Sequence, residues 1–265
     1  MKKEIEIHPS SIVDPKAKLQ AGVKIGPFCI VGPDVELGED TVLQSHVVLS
    51  GHVKIGKNNE FYSFCSIGAA PQDLSYKAEA TRVEIGDHNI FREYVSVHRG
   101  TLKQVGLTKI GNHCLLMAYV HLGHDVVLED KVVLVNSVNC AGHVHIGSRV
   151  TIGGNTGISQ WVTLGKGAYI GGGSGIDRDI PPFCTAYGNR IRLKGINIIG
   201  LRRQGYTKAD ISEIVEFYRQ MEASTLSPRA FISHHESIQE YLDNPVVKEM
   251  IDFINKSEIG IAPFV

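Results

Sequence analysis

No stretch of this chain approaches the roughly 20 consecutive apolar residues that a membrane-spanning helix needs. The basic opening Met1-Lys2-Lys3 runs into Glu4-Ile5-Glu6 rather than into the apolar core of an export signal. A soluble, unexported, cytoplasmic protein is the expectation. An excess of one charge is also missing: 27 Lys+Arg stand against 28 Asp+Glu, which excludes a general binder of nucleic acid or membrane surface. Any charged partner must then be met by a local patch. Cysteine is sparse, five residues, an odd number with no C-x-x-C among them, so neither a disulfide framework nor a zinc ribbon is implied. Cys29, Cys65, Cys114, Cys140 and Cys184 read as small apolar residues. A P-loop is absent as well, because Gly165-Lys166 is followed by Gly167 and lacks the Ser/Thr and upstream Gly of that motif.

What is present is a period. Aliphatic or aromatic residues recur every six positions through Ile7, Val13, Leu19, Ile25, Val31, Leu37 and onward to Phe61 and Ile67. The phase returns at Ile85, Phe91 and Val97, and again from Ile110 through Leu116, Leu122, Leu128, Leu134, Cys140 and on to Ile176. Six matches neither the 3.6 of a helix nor the 8–12-residue spacing of a strand meander. Three six-residue faces per coil make a triangular prism, in which each anchor points inward and a small or branched residue four places on packs beside it. Cys29, Cys65 and Cys114 fall in that second inward slot. The glycines of Gly171-Gly172-Gly173-Ser174-Gly175 keep the phase and read as coil corners, not as a phosphate cradle.

Two interruptions, 68–84 and about 99–109, carry polar and turn-forming residues and are expected to project as loops, where binding groups gather on a rigid scaffold. After Pro181-Pro182 the period stops. Thr207-Lys208-Ala209-Asp210 reads as a helix start with a capping box, Asp standing where Glu or Gln is usual. Ser227-Pro228 and Pro245 open two more helices, the last with Val246, Val247, Met250, Ile251 and Ile254 on one face. The expected division is a mainly β prism over 1–189, followed by a helical domain over 190–265 that caps one end against open stacking.

An 18-residue coil places residues 18 apart over one another. His124, Gly142 and Gln160 then share one column, Asp125, His143 and Trp161 the next, and His121 stacks below Asn139. An imidazole with a neighbouring carboxylate is a general base at neutral pH. A glycine N–H above it, directed outward, would hold an oxyanion. Acyl transfer is the chemistry such a face suits. A zinc site on His121, His124 and His143 is the competing reading. Nothing in the spacing fixes a ligand geometry, so neither metal nor cofactor is expected. A non-catalytic scaffold is the third class.

The hexads resemble those of the hexapeptide-repeat transferases, whose prism is left-handed and which include the three-histidine γ-type carbonic anhydrases. More closely, an ordered set of motifs is similar to the bacterial UDP-N-acetylglucosamine acyltransferases over essentially the full length. The set comprises Ile25-Gly26-Pro27-Phe28-Cys29-Ile30-Val31-Gly32-Pro33, Pro71-Gln72-Asp73-Leu74, Thr81-Arg82-Val83-Glu84-Ile85-Gly86-Asp87, His98-Arg99-Gly100-Thr101, His121-Leu122-Gly123-His124-Asp125, Ala141-Gly142-His143-Val144 and Asn197-Ile198-Ile199-Gly200-Leu201-Arg202-Arg203. The resemblance implies a cytosolic homotrimer that moves a 3-hydroxyacyl chain from acyl carrier protein to the 3-position of UDP-N-acetylglucosamine, the first step of lipid A synthesis. It implies His124 as general base, Asp125 as its orienting partner and Gly142 N–H as oxyanion donor. Asp73, His98, His121, His143 and Gln160 match positions contacting the sugar nucleotide or lining its cleft. Asn197 and Arg203 match the uridine–phosphate side, and Gly172 matches an acyl-length ruler. The sequence departs from the family at Ser75, where a pocket lysine is usual, and at Ser159, Ile199 and Gln204. Loss of that lysine admits a 3-amino acceptor, giving an amide, as an alternative. Arg190, Arg192, Lys194, Arg202 and Arg203 are a candidate basic patch for the acidic carrier protein. The related N-acyltransferase carries a domain before its prism; with the repeat starting at Ile7, none is expected here.

Overall fold

The computed structural model describes residues 3–234 and 238–265. Residues 1–2 of the expected prism and 235–237 of the expected helical domain lie outside the described residues. The repeat folds into a parallel β-helix with three faces, carried by sheets of eleven, nine and eight strands among the described residues. Face one runs from Glu6–Ile7, face two from Ile12–Val13 and face three from Lys18–Leu19. Strands pair with the coil 18 residues on, as in Ile7 with Ile25, Val13 with Val31 and Leu19 with Leu37.

The strands are mostly two residues long, because each face holds one outward residue and one anchor before the chain must turn. The anchors make one continuous core: Leu37, Leu43, Leu49, Ile67, Phe91, Leu116, Leu122 and Ile152 are each at most 1% exposed. Phe61 and Phe91 stack across two coils with ring centroids 4.4 Å apart. The first coil is the exception. Ile7 is 45% exposed because no coil covers its free side. All five cysteines are buried, and burial pushes the thiols of Cys65 and Cys140 up to about 12, so none is a nucleophile at neutral pH.

Corners follow a rule that periodicity did not reveal. At many corners one residue takes the left-handed backbone region, including Phe28, His46, Phe64, Tyr94, Tyr119, Asp125, His143 and Trp161, with φ between 58° and 68°. Side chains of successive corners therefore stack in columns. On the ridge between faces one and two, Phe28, His46, Phe64, Tyr94 and Tyr119 form a ladder with centroids 4.8 to 5.0 Å apart.

Both interruptions leave from the ridge between faces two and three, and both are shorter than their expected spans. Ser66–Ala69 and Arg82–Ile85 are strands, so only 70–81 projects in place of 68–84. Ser96–His98 and Leu107–Ile110 are strands, so only 99–106 projects in place of 99–109. The flanks stay in the sheets because their anchors Ile67, Ile85 and Ile110 remain in phase. The pairing offset lengthens to 30 at Phe61 with Phe91 and to 25 at Phe91 with Leu116, then returns to 18 at Leu116 with Leu134. An insertion on a ridge lengthens one turn and leaves its neighbours in register.

The sheet also outlasts residue 189. Cys184–Tyr187 adds a strand to face one, and Arg192–Ile196 folds back against it antiparallel, blunting the edge. Helix α1 (Ile198–Arg203), which the spacing did not signal, precedes α2 (Lys208–Ala223), α3 (Pro228–Ile232) and α4 (Pro245–Lys256). The box at the start of α2 forms as read: Thr207 accepts from the Asp210 N–H, and the Asp210 carboxylate accepts from the Thr207 N–H. The C-terminal tail ties the cap down through the Ser257 hydroxyl, which donates to Asp179 at 2.6 Å.

Removing one stacked ring tests whether the core is one cooperative column. Phe91→Ala should cost about 3–5 kcal/mol, read as a lowered denaturation midpoint at equal protein concentration; a loss under 1 kcal/mol would mean that the coils stand independently.

Candidate active site

The ridge that throws out both loops continues through His124-Asp125, Gly142-His143 and Gln160-Trp161, each pair at the turn from face two to face three. The pairing of His121 with Asn139, and of Leu122 with Cys140, fixes this stack. His124 and Gly142 do lie over one another, so closely that a Cβ on Gly142 would strike the imidazole, within 2.6 Å of Nε2 and 2.8 Å of Nδ1. Only glycine fits there. The N–H of the next residue, His143, is spent on the His124 carbonyl at 3.0 Å, whereas the Gly142 N–H has no acceptor among the described residues.

His124 is 5% exposed and Asp125 2%. The imidazole Nδ1 meets the Asp125 carboxylate at 2.9 Å, which leaves Nε2 as the free, proton-accepting atom in the neutral tautomer. His143 packs edge-on against His124, with centroids 4.9 Å apart, and Trp161 stacks flat on His143 at 3.8 Å. These two form a wall behind the base. Burial lowers the pKa of His143, and its Nδ1 is 3.8 Å from Asp125, too far to hydrogen-bond.

His98 and His121 flank the same hollow, their rings 4.9 Å apart and nearly perpendicular. Burial first, then His121, His124 and Arg99, pull the His98 pKa down to about 4. Burial alone lowers His121, whose Nδ1 lies 2.8 Å from the Ser96 hydroxyl. The Nδ1 atoms of His98 and His143 are buried without a partner among the described residues. They are spare polar groups of the kind a ligand satisfies.

These residues open into a cleft of about 710 Å³ that runs down face two past Gln160, Ser159, Asn139, Gly157 and Gly175 to Asp177 and Arg190. Its floor is the column His121, Asn139, Gly157, Gly175, and a Cβ on Gly157 would meet nothing within 4 Å. Continuing the 18-residue step past Asn139 would have located this glycine floor. Asp73 reaches the base from loop 70–81, its Oδ2 3.8 Å from His124 Nε2.

Three expected site residues lie elsewhere. Asn197 and Arg203 line a separate hollow of about 650 Å³ with Arg149, Tyr169, Ile199 and Gln204, over the outward residues of face one. Asn197 caps α1, accepting from the Gly200 N–H at 2.9 Å, and donates to the Gly167 carbonyl at 2.9 Å. Gly172 sits on the ridge between faces one and two, its nearest contact for an added Cβ being the Gly154 carbonyl at 3.1 Å. In a single chain the faces of the prism keep all three away from His124. Among the described residues, the group whose ligand atoms lie within 4.8 Å of one another is His124, Asp125 and His143, so His121 does not join the other two histidines as the zinc reading requires. The basic residues after the prism are partly engaged. Arg190 pairs with Asp177 at 3.2 Å, and Arg192 donates to the Phe264 carbonyl at 2.9 Å.

A buried imidazole–carboxylate pair beneath an open backbone amide, at the head of a glycine-floored cleft on a hexapeptide prism, defines an acyltransferase of the hexapeptide class. Comparison with known proteins agrees. The bacterial transferase hexapeptide family (six repeats) matches residues 16–51, and the second domain of Udp N-acetylglucosamine O-acyltransferase matches 179–262. The acyl-[acyl-carrier-protein]–UDP-N-acetylglucosamine O-acyltransferases of Halorhodospira halophila and Stutzerimonas stutzeri are 43% and 41% identical, each over 96% of this chain and 98% of their own. The crystal structure of UDP-N-acetylglucosamine O-acyltransferase from Moraxella catarrhalis superposes with a TM-score of 0.91 at 42% identity, covering 97% of this chain and 99% of that one. The chain belongs to the UDP-N-acetylglucosamine O-acyltransferase family, and its prism is a left-handed β-helix.

Gly142→Ala should displace the imidazole and lower kcat by about 100-fold with the circular dichroism unchanged; full activity would show that the ring does not need that space. Folding should also respond to His98. Unfolded histidine titrates near pH 6.5 and folded His98 near about 4, so in that window the unfolded chain binds the extra proton and stability falls as pH is lowered. A denaturation midpoint that drops between pH 7 and pH 5, and drops less in His98→Gln, checks this.

Proposed function

We infer that this chain transfers a 3-hydroxyacyl group from acyl carrier protein to the 3-hydroxyl of UDP-N-acetylglucosamine, the first step of lipid A biosynthesis. The observation that carries the reading is the pairing of His124 Nδ1 with Asp125 at 2.9 Å while the ring lies flush against Gly142. Nε2 takes the proton of the sugar hydroxyl as its oxygen attacks the thioester carbonyl. The Gly142 N–H stabilises the oxyanion as the C–O bond forms, a contribution of about 3–4 kcal/mol for a donor of this type. The C–S bond then breaks, and the imidazolium returns its proton to the departing thiolate. Asp125 supports the imidazolium throughout.

His98, His121, Asp73 and Gln160 surround the space in front of Nε2, and we assign them to the acceptor sugar. His143 walls the base from behind, its Nδ1, unpartnered among the described residues, remaining free for the acceptor. The glycine floor past Gly157 and Gly175 suits an apolar chain, since no side chain narrows it. The relatives are named O-acyltransferases, which favours the hydroxyl acceptor and an ester product over the amide.

The active form is proposed to be a homotrimer in the cytoplasm; among the described residues no helix is long and apolar enough to cross a membrane. Trimerisation would bring the face-one hollow of one protomer, with Asn197 and Arg203, to the face-two cleft of its neighbour, uniting the uridine–phosphate and sugar halves of one site. Gly172, on the ridge beside face two, would then border the far end of the acyl cleft. Arg190 lines that end of the cleft and fits the approach of an acidic carrier protein.

His124→Ala should lower kcat at least 100-fold while the trimer stays intact by light scattering. Mixed trimers of His124→Ala and Arg203→Ala chains should regain activity that neither homotrimer has. Recovery no better than the sum of the two inactive parents would place both residues in one protomer's site and refute the shared arrangement.

A further inference from the structure

The base described above sits between two carboxylates, and its chemistry requires that they be treated differently. Asp125 Oδ2 lies 2.9 Å from Nδ1 and accepts the Nδ1–H hydrogen bond in the tautomer that leaves Nε2 free. Asp73 Oδ2 lies 3.8 Å from Nε2, the atom that must stay unprotonated and face the incoming hydroxyl. A free carboxylate at that distance would draw a proton onto Nε2, converting the base into a paired imidazolium. Alternatively, with Nε2 unprotonated, two electron-rich atoms would face each other.

Both carboxylates are held from loop 99–106. The Thr101 N–H donates to Asp125 Oδ1 and Oδ2, each at 3.0 Å, and the Thr101 hydroxyl donates to Oδ2 at 2.6 Å. Thr101 is 3% exposed, and an added Cβ on its neighbour Gly100 would meet Asp125 Oδ1 at 2.8 Å, so the loop closes directly on the carboxylate. At the loop's end, Thr108 points into the core and accepts from the Asp125 N–H at 2.9 Å. Two residues after Thr101, Lys103 reaches across to the other loop, its Nζ 2.6 Å from Asp73 Oδ2. The remaining oxygen, Oδ1, accepts from the Ser75 N–H at 2.8 Å and from its hydroxyl at 2.7 Å. Lys103 and then Ser75 hold the Asp73 carboxyl far below the usual range. The two loops are further stapled by Arg99, which donates to the Tyr76 hydroxyl at 2.8 Å and the Gly68 carbonyl at 2.8 Å.

We propose that loop 99–106 poises His124 by gripping the carboxylate at each of its nitrogens. Thr101 fixes Asp125 as the acceptor at Nδ1, and Lys103 holds Asp73 back from Nε2 and neutralises it. Thr101 and Lys103 are positioning residues; neither touches His124. The cation that the resemblance places at position 75 is supplied here from the second loop, and Ser75 becomes a donor to the same carboxylate. The absence of lysine at 75 therefore ceases to argue for an amino acceptor. Besides Asp73 and Asp125, the titratable groups around His124 are His98, His121 and His143, with Arg99 beyond His98; none of these is altered by the substitutions below.

The proposal rests on the acyltransferase reading and is tested in the intact enzyme with the acyl carrier protein thioester and UDP-N-acetylglucosamine. Lys103→Met leaves Asp73 unneutralised beside Nε2. Its kcat/KM at pH 7 should fall several-fold, at most about tenfold, its acid limb should move to higher pH by about one unit, and KM for the sugar nucleotide should change less than kcat. Lys103→Arg should restore most of the rate and the profile. Thr101→Val keeps the volume and the N–H but loses the hydroxyl; kcat should fall about tenfold and recover in Thr101→Ser, with the circular dichroism of all four variants matching wild type. A wild-type pH profile in Lys103→Met overturns the proposal, as does a rise in KM alone, which would make Lys103 a substrate contact. Wild-type kcat in Thr101→Val overturns the Asp125 half. These outcomes differ from failure of the underlying reading, in which the wild-type chain forms no acylated sugar or His124→Ala matches it.

Discussion

Backbone hydrogen bonds from each coil to the next, such as Gly123 N–H to the Cys140 carbonyl at 2.9 Å and Ala141 N–H to the Ile158 carbonyl at 3.0 Å, hold the pitch at 18 residues. A slip of one residue would turn Leu122, Cys140 and Ile158 out of the core together, so the ladder and the apolar anchors enforce the same register. The site inherits that rigidity. His124 lies under Gly142 because strands on either side of the corner are locked, and Asp125 turns toward it because its own corner takes a left-handed backbone at φ 59°. The stacking of these corners comes from the scaffold itself.

The two projecting loops add what a regular coil cannot. Every residue of a strict prism has its neighbours 18 positions away, which allows columns of like groups but no convergence from afar. Loop 70–81 brings Asp73 to within 3.8 Å of a histidine far along the chain, and loop 99–106 brings Thr101 against Asp125. They leave from one ridge, so their added length falls where the catalytic corner lies, and faces one and three continue in phase.

That division also explains how far the residues alone could be read. Ile25, Leu43 and Phe61 announce the prism because each occupies the same inward slot, and adding 18 to His124 reaches Gly142 and then Gln160 by arithmetic. The arithmetic stops where the phase breaks. Thr101 and Lys103 sit inside an interruption, where no offset relates them to Asp125 or Asp73, and both look like ordinary polar loop residues. Asn197 and Arg203 lie past the last coil, so their face could not be read from the period, and the structure sets them over face one. The corner conformations of Asp125 and His143 were equally hidden, since neither residue type demands a positive φ. The helix starts at Thr207, Ser227 and Pro245 were legible because capping is a local chemistry.

The uncovered first coil has its own consequence. Among the described residues its strands Glu6–Ile7, Ile12–Val13 and Lys18–Leu19 pair on one side only, and in a structure whose cohesion passes between adjacent turns, opening begins at such an end and proceeds like a zipper. His121–Leu122 stands five turns inward on face two, roughly 24 Å at about 4.8 Å per turn. Thermal fraying of the amino-terminal turns can thus be frequent without reaching the chemistry, and the helices at the opposite end close the direction from which it would arrive soonest.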